Sequence, residues 1–396
     1  MGDAQVTRPR RTPASLAKDQ AILDAAESVL AQDGWAALQF ARVAADAGVS
    51  VQALRTRYVD RLGLAQALWR ERCGPALVEG LGALVAVSSG SIADLTAALN
   101  AFAQPSLRLR GAVELIVVST YEPALHIMVA RTCEESLTPW LVPARGGPTR
   151  TAAARHAFLF ALGLGLVILS YTTASSPLDL SQEAARIAPA LTSDVAPARL
   201  PAQQADHLDK EAVFGTGDPA WDALLQATLD QVGTVGFDRA TVSGIAHAAG
   251  YTEGLLFARY ATKRDLFVDA TARMTEPATR LNQAMSDDLA KRYSWGISDA
   301  VMMREFMRPG RERVRTIVLE QYRLASHQPD VQAVVEGGSA PTAAMAASHV
   351  VDDPEHLPAR TLVERSLGIG APLLAAIDPE AWSLPYDVVT VPLLDR

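Results

Sequence analysis

Cysteine is nearly missing from this sequence: there are two, Cys73 and Cys133, in 396 residues. Neither belongs to a CxxC pair, which excludes a disulfide framework and a cysteine-built zinc site and makes a reducing, cytoplasmic setting the expectation. Positive charge is in deficit too, with 36 Lys and Arg against 44 Asp and Glu and a formal net charge of -8. A chain with that balance does not adhere to polyanions as a whole, so any nucleic-acid site on it is local. No apolar run reaches the roughly 20 residues of a membrane span. The longest, AFLFALGLGLVILSY from Ala157 to Tyr171, has 15, and a buried helix with no membrane partner is expected there. The opening MGDAQVTRPRRTPAS carries arginines with no apolar segment behind them, unlike a secretory signal. HExxH, GxSxG, the phosphate-binding GxxxxGK[ST] loop and Cys/His zinc spacings are all missing, and the 7 histidines are scattered. The expectation is a protein that is not an enzyme and holds no metal or cofactor.

What the chain has in abundance is alanine and leucine, which favour helix. Its length suggests two or three units. Sliding the sequence on itself by 202 residues lays AGVSVQALRTRY (residues 47 to 58) on AGYTEGLLFARY (249 to 260), and the match runs without a gap from Ala21–Leu64 onto Ala223–Leu266. Eleven of those 44 positions are identical, among them Gly34/Gly236, Gly48/Gly250, Arg57/Arg259 and Tyr58/Tyr260. Fainter echoes follow at a shift of 205: SIADL at 91–95 with GISDA at 296–300, and LGLG at 162–165 with LGIG at 367–370. The chain reads as two copies of one unit of about 200 residues, far longer than a solenoid period. They are joined by the Pro- and Ala-rich stretch 196–219, whose 24 residues span about 25–30 Å as a flexible coil.

Within each copy the periodicity is helical. Ile22, Ala25, Ala26, Val29 and Leu30 form one face of a helix that ends at Gly34, and Phe40, Val43, Ala44 and Ala47 predict a shorter second helix. Gly48 supplies the turn, Ser50 the cap of a third helix, and Leu54 and Tyr58 its inward anchors. In the second copy Thr252 is the expected cap, and Thr262 with Asp265 opens a fourth helix. Two short helices joined at a glycine, the second presenting polar groups outward, describe a helix-turn-helix.

On these residues the stretches DAAESVLAQDGWAAL, ARVAADAGVSVQALRTRYVDR and GFDRATVSGIAHAAGYTEGLLFARYATKRDL resemble the DNA-binding domain of TetR-type transcriptional regulators. The resemblance covers about 45 residues per copy. It implies an all-α fold of two such units, each an N-terminal helix-turn-helix domain with a helical effector-binding and dimerisation domain behind it. A homodimer's two heads would then lie on one chain, as an intrachain pseudo-dimer. The domain boundaries expected are 1–74 and 75–195 for the first unit, 196–219 for the linker, and 220–275 and 276–396 for the second. It also implies DNA contacts from Ser50, Gln52, Ala53, Arg55, Thr56, Arg57 and Arg61 in the first head, and from Thr252, Gly254, Phe257, Arg259 and Lys263 in the second. Arginine can neutralise phosphate or pair with guanine, and glutamine can read adenine. The pattern is departed from in places: Gln39 replaces a capping threonine, Gln52 a glycine, Arg55 an aromatic, and Glu253 puts a negative charge on the second recognition helix. An arm bearing Arg8, Arg10 and Arg11 precedes the first head only, placed to enter a minor groove.

Polar groups set in apolar helical stretches, Tyr121, Glu122 and His126 with Tyr322, Arg323 and His327, are the candidates to orient a small apolar effector. The function expected is a DNA-binding transcriptional regulator, a repressor released by that effector, with one chain on a pseudo-palindromic double-stranded operator. The alternative is a sensor or protein-interaction module that kept the fold while its DNA binding degenerated; Glu253 and the overall acidity favour it.

Overall fold

The computed structural model of the chain describes residues 13–143, 148–170, 179–201, 214–337 and 357–395, and among these every regular element is helical. The arginine-bearing arm and the middle of the connecting stretch, 202–213, lie outside the described residues.

The first unit opens with α1 (Pro13–Asp33), whose Ile22, Ala26, Val29 and Leu30 are all buried. It stops at Gly34, and a single 3-10 turn, Trp35–Ala37, leads into α2 (Phe40–Asp46) and α3 (Val51–Arg55). Between these two helices Gly48 adopts φ +63°, a left-handed conformation that glycine takes without strain. Ser50 Oγ accepts from the Ala53 N–H at 3.2 Å and starts α3, while the inward Leu54 is fully buried. The body follows: α4 (Arg61–Leu68), a π-helical segment (Trp69–Cys73), α5 (Gly74–Ala86), α6 (Ile92–Ala103), α7 (Leu107–Ser119), α8 (Pro123–Leu141), α9 (Arg150–Leu169) and α10 (Ser181–Thr192).

The second unit repeats the order with α11 (Pro219–Val235), α12 (Val242–Ala248), α13 (Glu253–Phe257), α14 (Lys263–Arg292), α15 (Trp295–Met307), α16 (Glu312–Ala325), α17 (Pro329–Gly337), α18 (Leu357–Ile377) and α19 (Asp387–Leu394). The starts of α12, α13 and α14 keep the 202-residue offset from α2, α3 and α4. Thr262 and Asp265 form a reciprocal capping box. Thr252 departs from expectation: its side chain makes no cap bond, and the exposed first turn of α13 is closed by the Thr252 carbonyl accepting from the Leu255 N–H at 3.1 Å. The units also differ where α14 runs unbroken through the stretch that α4, the π segment and α5 occupy in the first.

The two bodies join through α9, α10, α18 and α19, with α9 against α18 and α10 against α19. At the α9–α18 crossing a Cβ on Gly165 would lie 1.9 Å from the Ser366 carbonyl oxygen, and one on Gly370 would lie 1.7 Å from that of Ala161. Only glycine permits this approach, and the two glycines belong to the LGLG and LGIG echoes. Arg360 on α18, 2% exposed, reaches across to Glu183 on α10 at 3.7 Å. Helix α9 is the one element among the described residues long and apolar enough to cross a bilayer, and it is buried throughout Ala157–Leu169 in the packed interior. One continuous apolar core runs from the first head through both bodies.

Candidate nucleic-acid interface and the seam behind it

The first recognition helix presents Ser50, Gln52, Arg55 and Thr56 to solvent, with Ala53 half-buried beneath them. Thr56 Oγ1 donates to the Ala53 carbonyl at 2.9 Å. On α13, Thr252, Gly254, Phe257 and Ala258 are exposed. The two surfaces share a scaffold and differ in chemistry. Position for position, Val49, Gln52, Arg55 and Thr56 of the first head become Tyr251, Gly254, Phe257 and Ala258 of the second.

The cations of the two heads are not equally free. Arg57 is tied to Asp19 on α1 and donates to the Ala53 carbonyl at 2.9 Å. Its counterpart Arg259 is tied to Asp218, with its guanidinium 5.6 Å from the Trp221 ring centroid. Arg61 lies 4.2 Å over the Trp35 ring. Lys263 sits 4.3 Å over Phe237 and donates to the Phe237 and Ala240 carbonyls, both at 2.7 Å. Burial therefore lowers the Lys263 pKa from its ordinary value. These cation–aromatic pairs hold the helix that leaves each head against the turn that ends its first helix. Among the described residues, Arg55 alone of these five is exposed without such an anchor. In net charge neither head is basic: residues 13–68 carry five Lys and Arg against six Asp and Glu, and 219–270 carry four against six.

Behind each head a buried glutamate accepts a backbone N–H: Trp35 N donates to Glu114 Oε1 on α7 at 2.7 Å, and Phe237 N donates to Glu320 Oε2 on α16 at 2.8 Å. The repeat built the same head-to-body latch twice. Arg323, 2% exposed, joins the two latches. Its Nε donates to Glu320 at 2.6 Å and its terminal nitrogens to Glu114 at 3.2 Å and Asp238 at 3.0 Å. Burial pushes the Glu114 carboxyl up to about 7, against the opposing pull of Arg323 and the Trp35 N–H.

The six residues expected to orient an effector fall mainly along this seam. Tyr121, at the corner between α7 and α8, lies under Gly236, where a Cβ would sit 2.4 Å from its ring. Its hydroxyl is buried without a hydrogen-bond partner among the described residues. His327 occupies the matching corner of the second unit, with its Nε2 edge 2.8 Å from where a Cβ on Gly34 would be. Each body corner thus rests on the glycine that ends the other unit's first helix, a crosswise contact about a pseudo-twofold axis. Glu122 pairs with Arg239 of the second head at 3.1 Å. Tyr322 is half-buried on α16 beside Arg323, and His126 is exposed on the first turn of α8. None of the six lines the cleft of about 460 Å³ that opens beside the π segment, among Trp69, Arg70, Pro75, Glu79, Thr132 and Ser136. There the Trp69 indole N–H donates to Thr132 Oγ1 at 3.0 Å. Nothing in the sequence marked the π segment; Glu114, set in the apolar run AVELIVV, was a signal that could have found the first latch, whereas Glu320 shares its helix with Glu312 and three arginines and did not stand out.

The family model described as bacterial regulatory proteins, tetR family, matches residues 22–68 and again residues 224–270. No curated protein matches the chain.

Proposed function

From the premise that this chain belongs to the tetR family of bacterial regulatory proteins, with two units in tandem, we propose that it is a repressor whose single chain occupies a complete two-half operator. The family places DNA as its partner; the one-chain stoichiometry and the repressor role are the proposal. The observation that carries it is the crosswise seam. Two helix-turn-helix heads are held on one fused body by equivalent latches, with each body corner seated on the opposite head. Such a body sets the separation of the recognition helices without a second chain. The separation expected is one DNA turn, about 34–36 Å. Ser50, Gln52, Arg55 and Thr56 then face one half-site and Thr252, Gly254 and Phe257 the other, while Arg57, Arg61, Arg259 and Lys263 support the heads and lend phosphate contacts at their edges.

The effector in this proposal is a small, largely apolar molecule, and the cleft beside the π segment has the volume for one. It is lined by the π segment, α5 and α8, just beyond the helix that connects head and body. Tyr121, Glu122, Arg323 and His327 form the joint that a bound effector has to shift to misalign the heads. If it does so, DNA weakens effector binding by the same factor that effector weakens DNA binding. Sedimentation of the full chain with a selected duplex tests the stoichiometry: one chain per minimal operator is expected, and two chains per operator refute the reading. The excess of acids over bases in both heads favours a second reading, a sensor with little DNA affinity. Effectors that bind tightly and leave operator affinity unchanged would establish it.

A further inference from the structure

The two recognition helices differ at the outward positions while their inward positions agree. Leu54 and Leu256 are both fully buried, and Gly48 and Gly250 both make the turn, so the scaffold under each surface is the same. Above it, the first head offers Gln52, Arg55 and Thr56, all hydrogen-bonding groups. The second offers no hydrogen-bonding side chain at the three matching positions. Phe257 is 53% exposed and Tyr251 39% exposed, with Gly254 and Ala258 exposed beside them and Thr252 and Glu253 at the start of the helix. The first head's own exposed large apolar residues lie off its recognition helix, Leu16 on α1 and Val59 in the loop before α4.

An aromatic ring left half in water on a five-residue helix contributes little to a core, and it joins none of the apolar clusters among the described residues. Gly254 carries the same message. A Cβ there would meet nothing nearer than Thr252 Oγ1 at 3.8 Å, and its φ is not in the left-handed region. The fold does not need glycine at a helical position where alanine is the better helix former. What glycine supplies is room for something outside the chain to come close to the backbone. Phenylalanine has no hydroxyl with which to hold a phosphate. In a major groove, the group that such an open, apolar surface can contact favourably is the 5-methyl of thymine.

Resting on the regulator reading above, we infer that the operator is not a palindrome. Its half under the second head is read through thymine 5-methyl groups by Phe257, over the space left by Gly254. Its half under the first head is read by hydrogen bonds, Arg55 to guanine and Gln52 to adenine. A homodimer presents the same helix twice and cannot make this distinction; two heads on one chain can diverge.

The test begins with duplexes selected from a random pool by the full chain, followed by chemically edited versions of the best one. Replacing a contacted thymine by deoxyuridine, which removes only the methyl, should weaken binding about fourfold per methyl in the second half and leave the first half unaffected. Replacing the contacted guanine by 7-deazaguanine should weaken binding roughly tenfold in the first half only. Phe257→Ala should erase the uridine penalty and Arg55→Ala the deazaguanine penalty, each without touching the other. Both residues are exposed, so neither change threatens the fold. Gly254→Ala adds an independent arm: operator affinity falls while the melting temperature holds or rises. A palindromic consensus, equal uridine penalties in the two halves, or a uridine penalty that survives Phe257→Ala overturns the inference while leaving the regulator reading standing. A pool from which the chain enriches nothing overturns the regulator reading itself, and the inference with it.

Discussion

Replacing Arg323 by methionine removes the cation that bridges the two head-to-body latches, and the cost follows from what it leaves behind. The guanidinium is 2% exposed and shares its donors among Glu320, Glu114 and Asp238, of which the first two are themselves buried. Methionine fills much the same volume, so the loss is electrostatic rather than a cavity. Breaking a buried pair by deleting one partner typically costs about 3–5 kcal/mol, because the surviving charge has neither water nor counter-ion. The two carboxylates cannot turn outward, since each also accepts a backbone N–H, from Trp35 and Phe237. The penalty depends on pH in a defined direction. Burial raises the Glu114 pKa to about 7, so the folded state takes up its proton more readily than the unfolded state. A carboxyl raised in this way contributes stability that is present at low pH and lost as pH rises towards 7. Without Arg323 the carboxyl lacks its main opposing charge and is raised further. Arg323→Met should therefore be most damaging near pH 8 and recover towards pH 5. Adding Glu114→Gln and Glu320→Gln keeps an oxygen to accept each backbone N–H while removing the charges, and should restore most of the loss at pH 8. Thermal unfolding of the single and triple variants across that range is the assay. A single-variant cost below about 1 kcal/mol, or a triple variant no more stable than the single, would refute the account of the seam as a charge-balanced joint.

Gly370→Val places side-chain atoms where the Ala161 carbonyl lies; it should force α9 and α18 apart at a cost of at least about 1–3 kcal/mol, and an unchanged melting temperature would show that the crossing is loose. Arg55→Ala, which removes the group that reads guanine, should cost about 1–3 kcal/mol of operator affinity and relax specificity at that base, whereas alanine at Arg57 or Arg259, each tied to an acid, should lower the melting temperature and flatten the dependence of log affinity on log salt by no more than about 0.9; an Arg55→Ala variant that keeps full specificity would count against that division. Asp299 has its pKa raised to about 7 by burial, with Glu364 and Asp395 adding to the shift. Asp299→Asn should stabilise the protein by an amount that grows between about pH 4 and pH 7, and a gain independent of pH would contradict it.

The helices of the two heads were legible because their signals are local. An apolar face, a turn glycine and a capping hydroxyl lie within a dozen residues of one another, and α2/α12, α3/α13 and α4/α14 start where the 202-residue repeat puts them. The π segment was not legible. The second copy runs through the equivalent stretch as plain helix, so composition does not decide it. In the first copy the segment turns Trp69 fully inward to meet Thr132, 63 residues further on. Of the five cations considered on or beside the recognition helices, four are held by partners that the sequence does not show. Arg57 and Arg259 find acids 38 and 41 residues upstream, and Arg61 and Lys263 find aromatics. That second pairing did leave a trace, since Trp35 with Arg61 and Phe237 with Lys263 repeat one aromatic–cation spacing in both copies.

The seam lay furthest from anything the sequence could show, because its meaning depends on which unit touches which. Tyr121 and His327 hold equivalent places in their own units, and as isolated polar residues in apolar surroundings both resembled ligand-orienting groups. Only the folded chain shows that they cross over, Tyr121 to Gly236 and His327 to Gly34. At both glycines φ is positive, +76° at Gly236 and +80° at Gly34, and a Cβ would strike the opposing ring. The shared glycine that a repeat alignment explains as a helix stop is therefore under two constraints, one from its own backbone and one from the other unit. A duplication that fuses two subunits places both sides of such a contact in one gene, where each side is free to change so long as its opposite accommodates it. Tyrosine at one corner and histidine at the other, with Arg323 present in only one unit, are the form that freedom has taken here.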